Sequence, residues 1–139
     1  YAFQNKDKLF ILMDYCEKKD LTKQVLKLDE LQIKILACEL VLAIKALHDR
    51  EMIHRDIKPA NILFKQGTLR IADWGFSRLL AQGETTCSFI GSPAYMAPEI
   101  LKGKDYSLKA DVWSLGVVLY ETLTGLCPWN SKSIHSLCH

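Results

Sequence analysis

The chain has 139 residues, of which 49% are hydrophobic and 24% charged, with a formal net charge of +2. That length and composition allow one domain with a real core, while so small a charge argues against nucleic acid or an anionic membrane surface as the partner. Cys16, Cys38, Cys87, Cys127 and Cys138 are odd in number and lack CxxC or Cys/His spacing, so free thiols in a reducing compartment are expected rather than disulfides or zinc.

Residues 1–8 lack both an initiator Met and an apolar run, so they read as mid-protein sequence without a signal peptide. The apolar run at 9–13 predicts a buried strand that empties into a polar connector at 14–20. From residue 29 to 47, Ile33, Leu36, Ala37, Leu40, Val41, Ile44 and Leu47 recur at intervals of three and four. That spacing predicts an amphipathic helix starting near Leu28 or Asp29, whose job is to brace the following loop. Met52-Ile53 and Ile62-Leu63-Phe64 predict two short buried strands that anchor the polar residues between them.

Residues 68–72 alternate as a strand and end at Asp73. Residues 77–92 are polar, include Gly83 and the cluster Thr85-Thr86-Cys87-Ser88, and read as a mobile loop. Residues 111–120 predict a helix apolar nearly all round and therefore buried on every side. Asp111 is placed to cap that helix and to hydrogen-bond backbone of the loop at 54–61, and Gly125 closes the helix before Pro128-Trp129. The longest apolar stretch, 112–123, is too short to span a bilayer and is interrupted by Glu121. There is no internal repeat, low-complexity segment or interdomain linker.

The chemistry concentrates in His54-Arg55-Asp56-Ile57-Lys58-Pro59-Ala60-Asn61. Asp56 can accept a proton, Lys58 can neutralise a phosphate, and Asn61 can offer a carbonyl oxygen to a hard cation such as magnesium. Asp73 adds a carboxylate at a strand end. Together these are the parts of a phosphoryl-transfer site.

His54-Arg55-Asp56, Asp73-Trp74-Gly75 and Ala97-Pro98-Glu99, in this order and spacing, resemble the eukaryotic protein kinases over essentially the whole chain. The resemblance implies an α+β, protein-kinase-like fold: mostly the helical C-terminal lobe, with the hinge and last N-lobe strand, truncated at both ends. Residues 1–20 would form the end of the N-lobe and the hinge, and 21–139 an incomplete C-lobe. Asp56 would orient and deprotonate the attacking hydroxyl, Lys58 would pair with the transferring phosphate, and Asn61 and Asp73 would hold Mg2+.

Ser92 would bridge Asp56 and Lys58. The Asp14 carbonyl and Cys16 amide would read the adenine edge of ATP beside the gatekeeper Met13. Asp20 would meet ribose or a basic substrate residue, and Leu63 would floor the adenine. Arg55 would pair with a phosphorylated Thr85, Thr86 or Ser88, the product of an upstream kinase or of autophosphorylation. His54 and Trp74 would form a buried aromatic stack. By the same resemblance, Lys58 would mark serine/threonine rather than tyrosine specificity. The expected protein is therefore a cytoplasmic kinase acting on protein Ser/Thr hydroxyls, without nucleic-acid binding or a membrane span.

The chain departs from the family pattern at Trp74, where Phe is usual, and in having no Gly-rich loop, strand Lys or helix Glu before Tyr1. The Arg that usually pairs with Glu99 would lie beyond His139. These absences make an inactive regulatory or binding fragment the main alternative, and a small-molecule phosphotransferase a third reading that Lys58 and Ala97-Pro98-Glu99 disfavour. Residues 73–78, 91–96 and 123–129 most resemble the unc-51-like autophagy kinases.

Overall fold

The computed structural model describes residues 1–17, 20–25 and 27–129. Strands β1 (Ala2–Gln4) and β2 (Leu9–Ile11) form an antiparallel hairpin, followed by α1 (Glu30–His48), β3 (Met52–Ile53), β4 (Ile62–Lys65) and β5 (Thr68–Ile71). Then come β6 (Arg78–Leu79), the single-turn helix α2 (Pro98–Leu101) and α3 (Lys109–Thr124). Strand β3 pairs antiparallel with β6, and β4 with β5, so the sheet content is three separate two-stranded ribbons. The fold is α+β, as expected.

Helix α1 starts where the sequence places it. Asp29 Oδ1 accepts the Gln32 amide at 2.8 Å and the Gln32 side chain returns to the Asp29 amide at 3.0 Å, a reciprocal cap of about 1 kcal/mol. Leu36, Leu40 and Ile44 lie on one face of α1 and bury against Leu115 and Val118 of α3, with Ile57, Ile62 and Leu69 closing that core. A second cluster, built on Ile53, Leu80, Met96, Ile100 and Tyr106, packs beneath the 77–97 segment. The loop at 54–61 leaves the second cluster at Ile53 and is anchored in the first by Ile57.

Three expectations change. Leu9, Phe10, Ile11, Leu12 and Met13 are exposed rather than buried, because no second layer covers the β1–β2 hairpin among the described residues. Apolarity gives a strand a reason to be covered, but a hairpin alone supplies no cover. Helix α3 is buried through Ala110, Ser114, Leu115, Val117 and Val118, yet Val112, Trp113, Tyr120 and Leu123 form an uncovered face. The segment expected to be mobile is pinned: β6 pairs with β3, and Thr86 and Tyr106 exchange backbone hydrogen bonds at 2.9 Å.

Gly125 does close α3, at φ 74°, a left-handed conformation that glycine takes without strain. Among the described residues no helix is long and apolar enough to cross a membrane. Cys16, Cys38, Cys87 and Cys127 carry free thiols, while Cys138 lies outside the described residues.

Candidate active site

Asp111 sets the path of the loop. It does not cap α3, whose N-cap is Leu108; its carboxylate, 1% exposed, accepts the His54 and Arg55 amides, each at 2.9 Å. His48 at the end of α1 lies 3.1 Å from the same carboxylate. With both amides drawn to one buried group, Arg55 takes a positive φ of 73°, a local strain offset by these hydrogen bonds.

His54 is fully buried and uses both ring nitrogens. Nε2 lies 3.1 Å from the Ala72 carbonyl, and Nδ1 lies 3.3 Å from the Asp56 amide. One nitrogen must donate and the other accept, which only the neutral ring can do. Burial lowers the His54 pKa in the same direction, outweighing the opposing charges of Asp111, Asp56 and Asp73. Trp74 meets His54 edge-on at a centroid distance of 5.1 Å but is 44% exposed, so the pair is not the buried stack expected. The Trp74 indole instead turns toward the Ile71 carbonyl, to which its N–H donates at 3.1 Å.

Asp56 stands at the centre. Its Oδ1 accepts the Ser92 hydroxyl at 2.9 Å; its Oδ2 accepts Asn61 Nδ2 at 3.0 Å and lies 2.7 Å from Lys58 Nζ. Lys58 also donates to Ser92 Oγ at 2.9 Å, which closes a ring of three side chains. Burial pushes the Asp56 carboxyl up, but the hydrogen bonds from Lys58, Ser92 and Asn61 and the Lys58 charge together hold it below its ordinary value. Asp56 is therefore ionised, oriented and screened from bulk water.

The metal candidates come together through the β4–β5 hairpin. Beyond the pair at its open end, Ile62 opposite Ile71, the Ala72 amide donates to the Asn61 carbonyl at 2.8 Å, which puts Asn61 and Asp73 at the same end. Asn61 Nδ2 is engaged by the carbonyl and carboxylate of Asp56, leaving Oδ1 as its group for a cation. Asp73 is exposed, in a left-handed conformation at φ 59°. One amide carbonyl and one carboxylate are hard oxygen donors, so this set fits Mg2+.

The nucleotide candidates lie along the connector and the hairpin. Leu63 is half-buried on β4, Cys16 is half-buried, and the exposed Asp14 carboxylate binds Lys65 Nζ at 2.6 Å. Asp20 Oδ1 is buried without a hydrogen-bond partner among the described residues, an orphaned acceptor that suits a ribose hydroxyl. The residues present thus fit ATP as well.

Arg55 is not brought to Thr85, Thr86 or Ser88; its Nε donates to the Phe76 carbonyl. Arg78, which sequence reasoning passed over, donates to Thr86 Oγ1 at 3.1 Å and pairs with Glu84 at 3.2 Å. Thr86 is only 5% exposed, Thr85 is exposed, and Ser88 is half-buried with its carbonyl accepting the Tyr106 hydroxyl at 2.7 Å. A basic residue next to a Ser/Thr cluster was the available signal for Arg78. Nothing in the sequence marked Tyr106, because its role depends on a bridge to residues far along the chain.

Residues 92–96 are clamped to α3 and to the segment after it. Ser114 Oγ donates to the Tyr95 carbonyl at 2.7 Å, Trp129 Nε1 to the Ala94 carbonyl at 2.8 Å, and the Tyr95 hydroxyl to Glu121 at 2.7 Å. Burial and the Glu121 carboxylate raise the Tyr95 pKa, which keeps the hydroxyl protonated as a donor.

Comparison with known proteins identifies a family. The family described as "Protein kinase domain" matches residues 1–138. "Protein kinase 2" of Dictyostelium discoideum is 40% identical over 141 residues, covering 99% of this chain and 29% of that protein. "Serine/threonine-protein kinase Nek1" of Mus musculus is 42% identical over 130 residues, covering 88% of this chain and 11% of that protein. "Serine/threonine-protein kinase ATG1a" of Arabidopsis thaliana is 37% identical over 145 residues, covering 99% of this chain and 23% of that protein. The chain thus spans less than a third of the length of each of these curated relatives.

Proposed function

The chain belongs to the protein kinase domain family, and we propose that it carries the catalytic loop and activation segment of a serine/threonine kinase that transfers the γ-phosphoryl of ATP to protein hydroxyls. The single observation that supports this reading best is the closed arrangement of Asp56, Lys58, Ser92 and Asn61. An ionised carboxylate, an ammonium and a hydroxyl within hydrogen-bond reach of one another match the needs of a loose phosphoryl-transfer transition state, where placement counts for more than basicity.

In this reading Asp56 Oδ2 orients the incoming hydroxyl and takes its proton, while Lys58 offsets charge on the transferring group. Ser92 keeps both in register with the segment at 93–96, which seats the peptide. Asn61 Oδ1 and Asp73 hold Mg2+, which when bound supplies charge neutralisation at the phosphates. Leu63, Asp20, and the backbone of Asp14 and Cys16 hold the nucleotide. Residues 1–20 serve as the end of the small lobe and the hinge, and the rest as part of the large lobe. The cytoplasm suits this chemistry, since it supplies Mg-ATP and keeps thiols such as Cys38 and Cys87 reduced.

A purely binding module would have no use for a depressed carboxylate hydrogen-bonded to lysine, serine and asparagine, and no observation favours that alternative. The test is transfer from labelled ATP to protein substrates by the full-length parent. Asp56→Asn is expected to lower kcat by about 10²- to 10⁴-fold, the range for loss of a positioned proton acceptor, while nucleotide affinity stays nearly constant. Unchanged turnover would overturn the role given to Asp56.

A further inference from the structure

The connector at 14–17 is joined to the tip of the β4–β5 hairpin by two carboxylates. Asp14 Oδ2 accepts Lys65 Nζ at 2.6 Å, and Glu17 Oε1 accepts the Gln66 amide. The hairpin turn explains why the second bond is possible. Gln66 and Gly67 have φ of 51° and 76°, the two-residue turn with both central residues left-handed. Lys65 opposite Thr68 is the strand pair next to the turn, so the Gln66 amide is outside the ladder and available to a partner on the connector. The Lys65 hydrogen bond and charge hold the Asp14 carboxyl below its ordinary value, and Arg70, on the same hairpin, acts in the same direction. The stem of Lys65 is partly covered, with 29% of its side chain exposed, which limits the positions its ammonium can take.

We propose that Lys65 and Glu17 are positioning residues for nucleotide recognition, fixing the backbone of residues 14–16 against the hairpin that carries Leu63 and ends in Asn61 and Asp73. This rests on the kinase reading above. The hairpin thereby links the readers of the base with the holders of the metal. Neither Lys65 nor Glu17 touches the nucleotide. They set the distance between the atoms that read the base edge, the Asp14 carbonyl and Cys16 amide, and the apolar floor beside them. A connector released from the hairpin keeps those atoms but not their spacing, so discrimination between bases suffers more than phosphate binding.

The experiment is direct titration of Mg-ATP and Mg-GTP into the full-length parent and its variants, with steady-state kinetics alongside. Lys65→Met is expected to weaken ATP binding about three- to fivefold, the scale of one surface ion pair. GTP binding should change little, so base preference falls; KM for ATP should rise with little change in kcat. Lys65→Arg is expected to restore the unaltered values. Glu17→Gln, which weakens the second tie, should act in the same direction as Lys65→Met. Should Lys65→Met fail to fold, Asp14→Asn removes the same ion pair from the other side. Equal losses for ATP and GTP, or no loss with either lysine variant, overturn the inference while leaving the kinase reading intact. A parent that binds no ATP overturns both.

Discussion

Gly91 approaches Arg55 so closely that a Cβ on Gly91 would lie 2.4 Å from the Arg55 carbonyl oxygen. Its φ of 120° adds a conformation that side-chain-bearing residues rarely adopt. The strained Arg55 and the segment that delivers Ser92 therefore meet backbone to backbone. Gly91→Ala is expected to cost about 1–3 kcal/mol of stability through backbone strain alone. It should also push Ser92 away from Asp56, and a shift near 1 Å is enough for about a 100-fold loss of turnover. Thermal melting and transfer kinetics of the full-length protein check both parts.

The ionisation of Asp56 gives a pH prediction with a definite sign. Its folded pKa lies below the unfolded value of 3.8, so its contribution to stability is present above that value and is lost as pH falls through the folded pKa. Lys58→Met removes a hydrogen bond and a charge that favour the carboxylate, leaving the upward push of burial less opposed. The acid limb of kcat should therefore move to higher pH in Lys58→Met, besides an overall loss of rate. A limb that stays in place would show that Lys58 does not tune Asp56.

Asp111 is expected to matter for stability more than a helix cap would. Asp111→Ala leaves the buried His54 amide and the part-buried Arg55 amide without an acceptor, at about 1–3 kcal/mol for the buried group and less for the other. Asp111→Asn, which keeps one carbonyl acceptor, should be milder. Hydrogen exchange at the Arg55 amide is the direct measurement, and it should accelerate in both variants relative to amides in the middle of α1.

Access separates the three hydroxyls of Thr85, Thr86 and Ser88. Thr86 is buried, bridged to Tyr106 and bonded to Arg78, so phosphate should appear on Thr85 or Ser88 first. Time-resolved mass spectrometry during incubation with Mg-ATP or an activating kinase reads the order. Tyr106→Phe, which removes the hydroxyl that holds the Ser88 carbonyl, should speed modification of Ser88. Early phosphate on Thr86 would contradict the order expected from burial.

Local spacing carried much of this architecture. Apolar spacing of three and four announced α1 and its start near Leu28 or Asp29, Gly125 announced the end of α3, and the density of functional groups between His54 and Asn61 announced the loop. Asp111 was half legible: its bond to the loop was foreseen and is there, but the cap also expected of it is not, because Leu108 already starts the helix. The exposure of Leu9 and Trp113 could not be read, since apolarity records a need for cover without naming what covers it. The fixed course of residues 77–92 was hidden for a related reason. Polar composition suggests freedom, while the Thr86–Tyr106 bridge is a contact between distant segments that no local pattern encodes.

The β4–β5 hairpin acts as a ruler. Asn61 and Asp73 lie at the same end of it because four strand pairs and a two-residue turn separate them, with the Ala72 amide fastening the open end to Asn61. A residue added to one strand alone would carry Asp73 past Asn61 by about 3.3 Å and reverse the facing of every side chain beyond it. Exposed side chains such as those of Thr68 and Arg70 can therefore change chemically at small cost, whereas the number of residues in this stretch cannot. Mutational tolerance here should divide by kind of change, with substitutions accepted at such exposed positions and single-residue insertions or deletions rejected.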